Sequence, residues 1–211
     1  MKSLLLKTLA EPMRDRAYTK KRGELFFTPT QYGYYGTRFP TKDYMHMESH
    51  LEFCVRHSVV NDVCDQVIEK SGGWPGWNGN ALEVLKRQMK ETETFMMSWN
   101  GLVGQQEHSG ETTWEESEIA ELCARLLKRH DETADLFFSQ FSSLSNIADM
   151  YERDDPFLWK LSYGDKYAVA YNGLVSLYAS GRIFAAKTYA DRHEALFTGT
   201  NKTGADILLN S

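Results

Sequence analysis

The sequence predicts an α+β protein, and three observations predict it. Apolar residues recur at three- and four-residue steps through the middle of the chain. Aromatic and β-branched runs bracketed by Gly and Pro lie towards both ends, and Asn-Gly and Ser-Gly pairs punctuate the C-terminal third. The expected architecture is central helices packed on strands from the N-terminal segment, a 94–99 strand and a C-terminal β-meander.

Taken in order, residues 4–11 suit a short helix that Pro12 ends. After a basic connector, residues 24–28 and 32–39 read as two extended segments. They are rich in Phe and Tyr and are bracketed by Pro29, Gly36 and Pro40. Over residues 41–70, Met47, Leu51, Cys54, Val55, Val59, Val63, Val67 and Ile68 mark out a helical stripe. The Gly-rich stretch 71–79, containing Trp74, Pro75 and Trp77, breaks the pattern before a shorter helix from Asn80 to about residue 90. Residues 94–99 read as a buried strand. Thr113 and Glu116 then stand at capping-box spacing ahead of a helix expected to reach His130 and, past a break, Met150. Runs at 167–171, 174–178 and 182–189, separated by Asn172-Gly173 and Ser180-Gly181, read as a three-stranded meander, with a helix over 183–197 as the competing reading.

Charge divides the chain unevenly. The net charge is −5, yet residues 1–43 hold nine Lys/Arg against four Asp/Glu, whereas residues 44–165 hold ten against twenty-two. This organisation reads as a basic, aromatic-rich N-terminal segment (1–43) and a single α+β domain (44–211). An acidic protein of this kind is no general duplex-DNA binder, because neutralising phosphates needs cations in excess. No apolar run approaches the roughly 20 residues of a membrane-spanning helix, and no secretory signal is legible at the start. The three cysteines, Cys54, Cys64 and Cys123, are odd in number and widely spaced. The expectation is a cytoplasmic protein with reduced thiols and no membrane partner.

Candidate chemistry is sparse. His46, His50, Cys54 and His57 would share one stripe of a helix, and imidazole and thiolate are good zinc ligands, so a metal-dependent hydrolase is one reading. His130-Asp131 matches the dipeptide of the HD hydrolases but lacks the apolar helix end that precedes it there. Glu118, Glu121, Glu132 and Asp135 mimic a magnesium-binding carboxylate set, although on one continuous helix they would form a solvated outer face with Arg125 and Lys128 between them. Dinucleotide, P-loop and nucleophile-elbow motifs are all absent from the sequence, so no cofactor is expected and the common enzyme classes lose their usual support. A second reading is binding of RNA or single-stranded DNA. Lys20, Lys21, Arg22 and Arg38 flank Tyr34 and Tyr35, and aromatic rings on strands can stack unpaired bases while cations follow the backbone.

Residues 59–130 resemble the barstar family of ribonuclease inhibitors. The resemblance rests on the order helix, break, helix, strand, helix, and on Pro75, Trp77 and Asn80. Leu82 stands where the acidic inhibitory residue should be, and Glu83 falls one place late. The resemblance implies a protein whose acidic helix blocks a basic enzyme cleft. The leading expectation is therefore a non-catalytic inhibitor or immunity-type factor that binds a protein with a basic surface, such as a nuclease. Trp74, Trp77, Asn80 and Glu83 would form the contact, since exposed tryptophans are favoured interface anchors.

Overall fold

The structure is a computed structural model that describes residues 1–43, 45–70, 93–103, 110–141, 143–161 and 166–210. It is α+β, as expected. Two compact units make up the chain: Met1–Val55 with Met96–Gln140, and Arg56–Phe95 with Phe141–Ser211. They interleave along the sequence.

The first unit opens with α1 (Lys2–Thr8) and α2 (Ala10–Asp15), which bury Leu5, Leu9 and Met13 at four-residue spacing. Pro12 does not end a helix here. It lies in the first turn of α2, where a missing N–H leaves no bond unmade. Strands β1 (Lys20–Arg22), β2 (Leu25–Thr30) and β3 (Gly33–Arg38) form an antiparallel meander. It continues through β6 (Glu52–His57) and β7 (Phe95–Ser98) in a five-stranded sheet ordered β1-β2-β3-β6-β7. A second antiparallel sheet is made by β4 (Thr41–Asp43), β5 (Met47–Ser49) and β8 (Glu111–Thr113), with β5 in the centre. After α3 (Ser58–Lys70) and a short α4 (Trp99–Val103), the long helix α5 runs Ile119–Phe141. Its Phe137 and Phe138 pack on Phe53 of β6 at 5.9 and 5.8 Å between ring centroids, and Phe138 meets Tyr35 of β3 at 5.4 Å.

The helix expected over 41–70 is corrected to strands as far as His57. Met47, Ser49, Leu51, Phe53, Val55 and His57 are all buried, a period of two. The polar Ser49 and His57 concealed that period, and the remaining apolar positions fit a helical stripe equally well. The expected strand at 94–99 is present as β7.

The second unit is helical. Around α7 (Lys166–Ala179) pack α3, α6 (Leu144–Glu152), α8 (Ile183–Arg192) and α9 (Gly199–Leu209). The expected C-terminal meander is therefore corrected to helices. Val169, Ala170, Leu174, Val175, Ser176 and Leu177 are all buried, so α7 is buried on several sides and shows no clear amphipathic period. Gly173 lies inside α7, where a Cβ would stand 2.5 Å from Tyr151 Cδ1 and 2.8 Å from the Tyr189 hydroxyl. Gly181 is no hairpin turn either. With φ +78° it ends α7 in a Schellman motif, its N–H donating to Tyr178 O and that of Arg182 to Leu177 O.

Candidate functional site

The predicted protein-contact residues Trp74, Trp77, Asn80 and Glu83 lie outside the described residues. The histidine stripe does not assemble, because residues 46–57 are not helical. His50 Nε2 pairs with Glu48 Oε1 at 3.1 Å. The His57 ring is buried and donates from Nε2 to the Phe141 carbonyl at 2.8 Å, and burial lowers its pKa. Cys54 faces the Gly36 carbonyl of β3 at 3.2 Å. Among the described residues no three His, Cys, Asp or Glu side chains are grouped to hold a metal ion. The carboxylate set is likewise dispersed into ion pairs, Glu121 with Arg125 at 3.0 Å and Glu132 with Lys128 at 3.9 Å.

The basic, aromatic N-terminal face is split by strand alternation. On β1, Lys21 shares a face with Phe26 and lies 5.2 Å from its ring centre, while Lys20 and Arg22 point to the face of Phe27, Leu25 and Tyr34. Tyr34 is buried. Tyr35 is half-buried between Tyr18 and Phe138, and Arg38 lies by Glu52 at 3.9 Å. The expected stacking platform of Tyr34 and Tyr35 is thus corrected to core packing, and Tyr32, at the β2–β3 turn, is the exposed ring of the group.

His130-Asp131 forms a hydrogen-bonded relay, buried at His130 and open at Asp131, instead of a metal pair. Arg16 clamps Asp131 through two N–H groups, with Nε at 2.6 Å from Oδ1. His130 Nδ1 donates to Asp131 Oδ1 at 3.0 Å, its Nε2 accepts from the Tyr18 hydroxyl at 2.9 Å, and Tyr18 meets Thr37 Oγ1 at 2.8 Å. The Arg16 guanidinium holds the Asp131 carboxyl at about 2. Burial keeps His130 neutral by lowering its pKa and pushes the Tyr18 hydroxyl upwards. His130 and Tyr18 are each only 5% exposed, whereas Asp131 stands half in solvent, and the arrangement ties the end of α2, β3 and α5 together.

An exposed aromatic surface lies at the end of the smaller sheet. Just after β8, Trp114 is 65% exposed, and its indole lies against the His46 ring at 4.8 Å. Met45 beside His46 is 88% exposed. The expected capping pair Thr113/Glu116 is replaced by Thr113/Glu118. The Glu118 carboxylate accepts from the Thr113 hydroxyl and from the Trp114 N–H at 3.1 Å, and these two bonds lower its pKa. Below it, Glu111 of β8 receives Arg125 Nε at 2.7 Å and also pairs with Arg129, which stacks on Trp99 at 4.1 Å. These ties fix the backbone that presents Trp114, while Glu115 and Glu116 stand exposed next to it. Sequence reasoning treated this stretch only as a helix start. The signal was available: Trp114 is flanked by Thr112-Thr113 and Glu115-Glu116, with no apolar neighbour to share its burial.

Compared with known protein families, curated proteins and solved structures, the chain matches none.

Proposed function

We propose that this chain is a non-catalytic protein-binding factor, of the inhibitor or immunity type, which takes a basic partner such as a nuclease on its Trp114 surface. The carrying observation is the exposed Trp114 indole, braced against His46 and set among carboxylates. An indole held in this way has little rotamer freedom left to lose on binding, so its burial converts efficiently into affinity. Anchors of this kind contribute about 2–4 kcal/mol when fully desolvated. The neighbouring Glu115, Glu116 and Glu118 favour a cationic partner and speed encounter with it. The barstar resemblance leads to the same class of function through a different segment, Trp74 to Glu83.

The experiment is to identify the partner by cross-linking in its native extract and then to measure its affinity for purified variants. Trp114→Ala is expected to weaken binding at least tenfold, roughly 1.4 kcal/mol. Glu115→Gln with Glu116→Gln is expected chiefly to slow association and reduce its salt dependence. A parallel Trp74→Ala/Trp77→Ala/Glu83→Gln variant examines the other segment. Full affinity in Trp114→Ala with loss confined to the parallel variant would move the contact away from Trp114, and full affinity in both would refute the reading.

A further inference from the structure

A second feature of the first unit involves its N-terminal helices. Helix α1, the start of α2 and strand β1 enclose an open depression of about 630 Å³ lined by Lys2, Ser3, Leu6, Lys7, Ala10 and Lys21. Leu6 and Ala10 give it apolar lining, and three lysines contribute to its wall. Each is placed differently. Lys21 Nζ donates to the Leu6 carbonyl at 3.1 Å and lies over Phe26, which fixes it at the rim with donors to spare. Lys2 Nζ is neutralised by Glu24 Oε1 at 2.6 Å, and its backbone N–H donates to Asp43. Lys7, exposed in the last turn of α1, has no ion pair among the described residues. The depression therefore brings Lys7 and Lys21, neither with a carboxylate partner among the described residues, next to aliphatic lining.

This pattern separates a small ligand from a polynucleotide. A nucleic-acid strand needs a continuous row of cations on one face and rings on which to stack. Alternation along β1 sends Lys20 and Arg22 to the opposite face from Lys21, and Phe26 beneath Lys21 is 3% exposed. A single anionic group between Lys7 and Lys21, with an apolar body over Leu6 and Ala10, meets both halves of the surface.

We propose that the depression between α1 and β1 binds an amphipathic organic anion, a carboxylate or phosphate head carried on an apolar chain. The head pairs with Lys7 and Lys21, and the chain covers Leu6 and Ala10.

The test is calorimetric titration of the full chain with dodecanoate, dodecyl phosphate, neutral dodecanol, inorganic phosphate and a single-stranded oligonucleotide. Saturable one-to-one binding of dodecanoate or dodecyl phosphate is expected, with the preferred one naming the head group. Inorganic phosphate and dodecanol are each expected to bind at least tenfold more weakly. Lys7→Gln with Lys21→Gln should cut affinity for the preferred amphiphile at least tenfold, and Lys7→Gln alone, at an exposed position, should cut it several-fold with the fold intact. Equal binding of dodecanol, unchanged affinity in both variants, or binding of the oligonucleotide alone would overturn the proposal.

Discussion

His130 is buried in the first unit with both ring nitrogens bonded. Buried and neutral, it accepts from Tyr18 and donates to Asp131, which Arg16 clamps in turn. The arrangement carries a pH signature. Burial lowers the pKa of His130 and of His57 in the folded state, so on acidification the unfolded chain takes up these protons first. Their contribution is complete above the unfolded value of about 6.5 and is lost as pH falls through and below it. Asp131 acts in the same direction lower down. Held at about 2 against an ordinary 3.8, its contribution is present above 3.8 and lost on the way to 2. Urea midpoints should therefore fall between pH 7 and 5 and again below pH 4. By NMR both imidazoles should titrate below 6.5; titration of His130 at or above 6.5 would contradict the relay, and of His57 its burial against the Phe141 carbonyl. The cysteines at this scale are inert: Cys54, Cys64 and Cys123 are buried, and burial pushes the Cys64 thiol to about 12 and that of Cys123 to about 11.

At the scale of elements, α7 depends on a glycine. The close approach of Tyr151 and Tyr189 leaves no room for a Cβ on Gly173. Gly173→Ala should destabilise by about 1–3 kcal/mol through overpacking, against the roughly 1 kcal/mol by which alanine otherwise favours a helix. Chemical denaturation reads this directly, and a gain in stability would show that the tyrosines move aside freely. The same glycine explains how far this element was legible. Asn172-Gly173 and Ser180-Gly181 have the composition of hairpin turns, yet one provides close packing inside a helix and the other its Schellman end. Local sequence specifies a positive φ or a missing Cβ, and only the tertiary surroundings decide which use it serves. Where apolar and polar faces separate cleanly, as along α5, or where aromatic runs lie between Pro and Gly, as in β2 and β3, the sequence suffices. Ala17 shows the opposite failure. It ends α2 at φ +66° in a Schellman motif that only the hydrogen bonds of Ala17 and Tyr18 disclose, because alanine gives no sign of the left-handed backbone.

For the whole molecule, the charge asymmetry was legible in the sequence, but its grouping in space was not. The basic cluster at 20–22 divides between two faces of a sheet, and Lys21 is joined instead by Lys2 and Lys7 from α1. His46, predicted as a metal ligand on a helix, braces Trp114, some seventy residues away, across the smaller sheet. Pairings of that range follow from the register of β5 with β8, which no local pattern records. Among the described residues no helix is long and apolar enough to cross a membrane. The proposed contact is the Trp114 surface, and the measurement that tests it most directly is hydroxyl-radical footprinting of the free chain and of the chain in complex with its partner. Trp114 and Met45 should oxidise readily in the free protein and become protected in the complex, in step with partner concentration. Undiminished oxidation of both residues at saturating partner would contradict it.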